Sequence, residues 1–154
     1  MSRIEAALKE MGLTLPPAPA PSGTYVRAVR VGNLVFQAGG SGRREDGSYI
    51  TGKLGRDTTV EEGYRAARAT GLTLLSNLKQ EIGDLDKVTR IVKVFGMVNS
   101  DLEFKDPPAV INGCSDLLVE LFGERGKHAR SAVGMASLPF GVAVEIEMVV
   151  EVAE

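Results

Sequence analysis

Hydrophobic and polar residues alternate along the C-terminal part of the chain. Every second position from 142 to 152 is valine, isoleucine or methionine, and three glutamates lie between them. A period of two residues is typical of a β-strand with one buried face. A shorter alternation over 130–136 predicts another strand just before it.

The N-terminal half predicts a β-hairpin. The segments 25–31 and 34–38 are rich in β-forming residues and flank Gly32-Asn33, a pair of turn-forming residues. The pattern also favours a short third strand over 48–51. The glycines after residue 38 do not match a nucleotide-binding fingerprint, so we interpret them as the flexible end of a strand.

A helical period of apolar residues predicts two long helices. Thr59 and Glu62 form a capping box before the first one, and Gly83 ends it. The segment 88–98, dense in β-branched residues, predicts a strand between the helices.

The second helix is predicted from Asp106, as the capping residue before Pro107, to Gly123. Cys114 falls within the apolar stripe of this helix. We therefore interpret it as a buried, inert thiol rather than a nucleophile.

The first residues predict a separate arm. Ser2 and Glu5 form the capping box of a short helix, and the proline-rich segment 16–21 favours an extended connector. We divide the chain into an N-terminal helical arm with its connector, residues 1–21, and a domain over 22–154. The order of elements predicts an α+β fold, in which two helices pack on one face of a mixed or mostly antiparallel sheet.

Composition and charge narrow the function. The 154 residues carry a formal net charge of −2, which argues against a general binder of nucleic acid or anionic membranes. No apolar run approaches the ~20 residues that span a bilayer, and the N-terminus lacks a signal-peptide pattern. One cysteine excludes an internal disulfide and a multi-cysteine metal site. We expect a cytoplasmic protein without a metal or cofactor, and without nucleic-acid or membrane partners.

Arg130 is the most informative single residue because small apolar residues surround it in the sequence. A guanidinium group is a planar fork of donors that suits a carboxylate. The alternative is an arginine at a strand start that pairs with a nearby glutamate.

Three short signatures occur in order along most of the chain. They are Tyr25 with the Gly32-Asn33 turn and Gly39, then Val110-Ile-Asn112, then Ala129-Arg-Ser-Ala-Val133 with Leu138-Pro139 and Val144-Glu-Ile-Glu147. Together they resemble the YjgF/RidA family of imine and enamine deaminases, which also carries an older endoribonuclease label. The resemblance implies the chorismate-mutase-like fold and a homotrimer with ligand clefts between neighbouring subunits.

The resemblance also implies roles for two charged residues. Arg130 would bind the carboxylate of a small 2-imino or 2-enamino acid, or of its 2-keto acid product. Glu145 would orient or activate the water that attacks the carbon of the C=N bond. Hydrolysis would release ammonia, and this chemistry requires no metal or cofactor.

Four further positions match the resembled site. Tyr25 would line the cleft, or fill an interface as an edge-strand aromatic residue. Asn112 would contact the ligand, or bond nearby backbone in the first turn of its helix. Gly39 would let the backbone approach the ligand closely, or would only satisfy the geometry of a turn. The backbone N–H of Ala132 would donate a hydrogen bond to the substrate.

The sequence departs from the resembled pattern at three places. Ala38 and Gly40 replace a serine and a glutamine, and His128 stands where proline is common. We expect His128 to be a solvated loop residue. The departures leave a second hypothesis, a non-catalytic trimer that binds small carboxylates, and a less favoured third, a ribonuclease.

The register of the last two strands is open in the sequence. If the strands at 130–136 and 142–152 formed a tight hairpin, Arg130 and Glu145 would lie on opposite faces. The resemblance implies that the strand near 88–98 lies between them, avoiding this conflict, and that neighbouring subunits complete each site.

Overall fold

A computed structural model describes residues 2–154 as a five-stranded sheet with three α-helices. The strands are β1 (Ala28–Val31), β2 (Leu34–Gln37), β3 (Val88–Asn99), β4 (Ala129–Met135) and β5 (Val144–Val152). The helices are α1 (Arg3–Glu10), α2 (Val60–Ile82) and α3 (Pro107–Phe122). The predicted α+β class is confirmed.

The strand order in the sheet is β1-β2-β5-β3-β4. All neighbours are antiparallel except β3 and β4, which are parallel because α3 connects β3 to β4 and returns the chain in the same direction. The predicted hairpin is β1-β2. The strand near 88–98 does lie between the last two strands.

The core fills the space between the sheet and the helices. Alternate residues of β5, including Ile146 and Val150, are fully buried in this core, where β5 contacts α2. Among residues 2–154, no helix lies over the opposite face of the sheet. Large apolar residues there remain exposed to solvent, namely Val29, Val31, Phe36 and Val133.

The arm is packed on the rest of the chain through α1. Ile4 and Leu8 are buried in the core, and the predicted capping box of Ser2 and Glu5 is present. The Asp86 carboxylate accepts hydrogen bonds from the backbone N–H groups of Arg3 and Ile4, at 2.9 and 3.0 Å. The boundary between 1–21 and 22–154 stays a prediction.

Three local predictions differ from the structure. The segment 48–51 forms isolated bridges, Tyr49 to Arg43 and Thr51 to Val142, because the chain here touches two different partners in turn. Asp106 precedes α3 but its side chain accepts no capping hydrogen bond. The last strand begins at Val144 because the preceding residues form a tight 3₁₀ turn.

No helix within residues 2–154 has the length and apolar character needed to cross a membrane.

The close approach of α2 and α3 depends on Gly113. A Cβ atom at this position would lie 2.0 Å from the backbone oxygen of Tyr64. We expect Gly113→Ala to lower the free energy of unfolding by about 1 to 3 kcal/mol, because overpacking outweighs the better helix propensity of alanine. Urea unfolding followed by circular dichroism measures this.

Gly23→Ala is the matched control for this test, because a Cβ there meets only the Tyr25 ring at ordinary contact distance. Equal stability of the two variants would contradict the proposed helix contact.

Candidate functional site

A cleft beside the end of β2 brings together three of the residues that the sequence singled out. Tyr25, Gly39 and Glu145 all line it, and its volume is about 160 Å³. This size suits a small metabolite, since sites for drug-sized ligands enclose roughly 300 to 1,000 Å³.

Gly39 lies against the Glu145 carboxyl group because β5 holds the adjoining backbone. Gly40 exchanges two backbone hydrogen bonds with Ile146, at 2.9 and 3.0 Å. A Cβ atom on Gly39 would lie 3.0 Å from Glu145 Cδ, closer than side chains normally pack. Glycine at this position therefore lets the Glu145 side chain keep its place, whereas a Cβ would push it aside by a few tenths of an ångström.

Glu145 is half-buried in the cleft. Burial raises the pKa of its carboxyl group, and the negative charge of Glu147 on the same strand raises it further. A carboxylate with a raised pKa is a stronger base when it is ionised, so this group is suited to accept a proton from water.

Tyr25 is exposed at the mouth of the cleft. Its hydroxyl group lies 3.2 Å from Ser22 Oγ and accepts a long hydrogen bond from the Ser22 backbone N–H at 3.4 Å. The side-chain hydrogen bond with Ser22 lowers the pKa of Tyr25. Ser22, the residue directly after the connector, thus orients the tyrosine.

Other residues of this cleft were missed in the sequence. Arg27 and Arg43 add two guanidinium groups, and Tyr49 stacks on Phe140 with ring centroids 5.3 Å apart. Phe140 holds a backbone φ of 59°, which is rare for a residue other than glycine. In the predicted strand 25–31, Arg27 falls on the same face as Tyr25, and this alternation could have revealed it. The contact between Tyr49 and Phe140 joins residues far apart in the chain, so no local pattern predicts it.

Arg130 and Asn112 form a second cluster where β4 meets α3. Arg130 Nη1 donates to Asn112 Oδ1 at 2.7 Å and to Ser115 Oγ at 3.1 Å. Ser115 was also missed, although it lies three residues after Asn112 and hence on the same helix face. The two side chains of α3 hold the guanidinium group in place.

His128 extends this cluster and is not the solvated residue that was expected. It is half-buried, with Nδ1 2.7 Å from the Gly126 carbonyl oxygen and Nε2 2.9 Å from Ser115 Oγ. Since a carbonyl only accepts, Nδ1 carries the proton and neutral Nε2 accepts from the Ser115 hydroxyl. Burial lowers the pKa of His128, and the nearby positive charge of Arg130 lowers it further, while the Gly126 hydrogen bond raises it.

Ala132 lies on β4, two residues after Arg130, and is half-buried. β4 is an edge strand with β3 on one side only, so alternate backbone N–H groups along it point away from the sheet. The role of the Ala132 N–H as a donor to a ligand stays a prediction.

The two groups of residues lie on opposite faces of the sheet. Phe95 of β3 pairs with Ser131 and with Glu147, so those two side chains share the face without helices. Arg130 is one residue from Ser131 and points to α3, whereas Glu145 is two residues from Glu147. We expected that β3, by lying between the last two strands, would bring Arg130 and Glu145 to the same face of the sheet. This expectation is wrong, because the two side chains still lie on opposite faces within one chain.

Two other kinds of site can be assessed directly. Burial raises the pKa of the Cys114 thiol to about 12, which confirms it as an inert core residue. Residues 2–154 hold no group of three or more histidine, cysteine, aspartate or glutamate residues that could bind a metal ion.

Comparisons with known proteins place these features in a family. Residues 3–152 match the family model described as "YjgF/chorismate_mutase-like, putative endoribonuclease". The chain is similar to Protein TCP17 of Trypanosoma cruzi, with 45% identity over 97% of this chain and 94% of that protein. It is 31% identical to a 2-iminobutanoate/2-iminopropanoate deaminase of Dermatophagoides farinae, over 90% of this chain and 93% of the relative.

A solved structure agrees with these matches. The protein Atu1372 of Agrobacterium tumefaciens, of unknown function, superposes with a TM-score of 0.91 at 42% identity and covers 98% of this chain and 93% of its own. The signatures at Tyr25, Asn112 and Arg130, the mixed sheet with its helices, and the match over residues 3–152 agree: the chain belongs to the YjgF/RidA family.

Proposed function

We propose that the protein hydrolyses reactive 2-imino and 2-enamino acids to 2-keto acids and ammonia, in clefts between the subunits of a homotrimer. The observation that carries this proposal is the placement of Arg130 and Glu145 on opposite faces of one sheet. In a ring of three copies, the cleft of one subunit can meet the Arg130 cluster of the next.

The exposed apolar face of the sheet supports assembly. Val29, Val31 and Phe36 are about half exposed or more, at 52%, 63% and 45%. Three such faces packed around an axis would cover this surface, which a monomer would leave in water.

Arg130 is suited to anchor the substrate carboxylate. Asn112 and Ser115 fix one of its nitrogens, so the fork loses little freedom when a carboxylate binds. With the acid anchored, the C=N carbon is held near Glu145.

The reaction then needs one water molecule and modest proton transfer. Glu145 accepts a proton from water as the oxygen bonds to C2 of the imine, and the C=N π electrons move to nitrogen. The proton passes to the nitrogen to give a carbinolamine. Glu145 then transfers the hydroxyl proton to the amine, the C–N bond breaks, and ammonia leaves as the carbonyl forms. An enamine first takes a proton at C3 and loses one from nitrogen to become the imine. Such acid-base assistance typically contributes ~10²- to 10⁴-fold.

The deaminase relative at 31% identity supports this chemistry. Ala38 and Gly40 favour the second candidate, a trimer that binds small carboxylates without turnover, since they place neither a hydroxyl nor an amide beside Gly39.

An assay with 2-aminoacrylate generated in situ separates these two functions. We expect the protein to accelerate pyruvate release, and Arg130→Ala and Glu145→Gln each to lower kcat/KM by about 100-fold or more. Arg65→Ala, on the solvent side of α2, is the matched control and should keep full activity. Pyruvate binding without any acceleration by the wild type would leave only the carboxylate-binding function.

Mixing inactive variants tests whether each site spans two subunits. Random 1:1 trimers of Arg130→Ala and Glu145→Gln should recover about a quarter of wild-type activity. Each site takes Arg130 from one chain and Glu145 from its neighbour, so about one site in four receives both intact residues. The two variants are purified, unfolded together, refolded and assayed against each variant alone. If both residues acted within one chain, the mixture would stay inactive.

The pH dependence of kcat/KM reports on the proposed base. Because Glu145 must be ionised to accept a proton, activity falls as the pH drops through its raised pKa, above the ordinary value of 4.5. Glu147→Gln removes a negative charge that raises this pKa, so the acid limb should move to lower pH. Glu81→Gln, at the exposed end of α2, should leave the limb unchanged. An unmoved limb in Glu147→Gln would contradict the assignment of Glu145 as the titrating group.

A further inference from the structure

Arg27 introduces a positive charge on the same face of the sheet as Glu145. Its backbone oxygen accepts a hydrogen bond from the Ala38 N–H at 2.9 Å, which sets Arg27 beside Gly39. Gly39 in turn lies against the Glu145 carboxyl group. Arg27 and Glu145 both line the 160 Å³ cleft.

The Arg27 guanidinium group is held in place but incompletely paired. Nη2 donates to the backbone oxygen of Ala20 in the connector. Nε is buried and finds no acceptor within residues 2–154. A ligand in the cleft cannot reach Nε, because this atom has no exposed surface. The remaining nitrogen, Nη1, also has no hydrogen-bond partner within residues 2–154, and an anion in the cleft would supply its acceptor.

The charge of the cleft favours the same conclusion. Its lining contains two guanidinium groups, of Arg27 and Arg43, but one carboxyl group, that of Glu145. Arg43 lies over the Tyr49 ring at 4.1 Å and donates to the Gly47 carbonyl oxygen at 2.9 Å. Arg27 therefore remains the cation with an orphaned donor. A locally positive cleft in a chain of net charge −2 selects anionic ligands.

Tyr25 is influenced by both charges of the cleft. After the Ser22 hydrogen bonds, the positive charge of Arg27 lowers the pKa of Tyr25 and the negative charge of Glu145 raises it. The guanidinium group of Arg27, the phenol of Tyr25 and the carboxyl group of Glu145 thus line the same small cleft.

We propose that Arg27 binds a second carboxylate of the ligand, so that the cleft prefers dicarboxylic imino and keto acids to monocarboxylic ones. This inference rests on the proposed function, in which Arg130 of a neighbouring subunit binds the first carboxylate. Glu145 would then act between two cationic anchors, and the side-chain carboxylate would accept from Arg27 Nη1.

Calorimetry with two keto acids of equal chain length tests the preference. 2-Oxoglutarate ends in a second carboxylate, whereas 2-oxopentanoate ends in a methyl group at the same position. We expect the wild-type assembly to bind 2-oxoglutarate about 10-fold more tightly or better, as a charge-assisted hydrogen bond provides. Arg27→Met should remove this preference by weakening 2-oxoglutarate alone, while 2-oxopentanoate binding stays within about 2-fold.

Two further variants control the experiment. Arg30→Met removes an exposed arginine of β1 that lies outside the cleft, and it should keep the preference. Arg27→Lys keeps the positive charge but not the planar fork of donors, and it should retain part of the preference. This variant also keeps the proposal testable if Arg27→Met does not fold.

The results separate this inference from the deaminase proposal. Equal binding of both acids by the wild type, or equal weakening of both by Arg27→Met, would overturn the second carboxylate position even if deaminase activity is present. A preference lost in Arg27→Met, in a protein without deaminase activity, would support Arg27 and overturn the proposed reaction.

Discussion

The register of β3 against its two neighbours is the constraint on which the site depends. Phe95 pairs with Ser131 on the parallel side and with Glu147 on the antiparallel side. Because side chains alternate between faces, this double pairing sends Arg130 towards α3 and Glu145 to the open face. A shift of one residue on either side of β3 would reverse one of them. On the β5 side the core opposes such a shift, since it would expose Ile146 or Val150 to water.

The two clusters are built in different ways, and this matches their proposed tasks. Arg130 is held rigidly by Asn112 and Ser115, and His128 orients Ser115 from behind. Its guanidinium group therefore donates to two acceptors that are fixed in place. Glu145 has no such support and is half-buried, so its proton affinity is raised by burial and by Glu147. A fixed cation suits binding, whereas a carboxylate with a raised pKa suits proton transfer.

The N-terminal arm contributes to the cleft as well as to the core. The connector supplies the Ala20 carbonyl to Arg27, and Ser22, the residue directly after it, contacts the Tyr25 hydroxyl. The connector in turn is tied to α2, since Ser76 Oγ donates to the Pro16 carbonyl oxygen at 2.5 Å. Residues near the start of the chain thereby position two side chains of the candidate site.

Local patterns in the sequence determined the elements and their ends. The alternation at the C-terminus, the capping boxes at Ser2 and Thr59, and the glycine after α2 each act within a few residues, so they can be read without tertiary contacts. The short signatures likewise indicated the family and the identity of Arg130 and Glu145 as a pair of interest.

Only the tertiary structure decided which faces those residues occupy. β3 is bulged after Val88 and after Ile91, so Ile91 and Val94 are both buried although they are three residues apart. A strict alternation would assign them to opposite faces. Strand order, the parallel pairing of β4 and the orphaned Nε of Arg27 likewise arise between residues far apart in the chain. Such pairings depend on the packing of the whole sheet against α2 and α3, which no local pattern encodes.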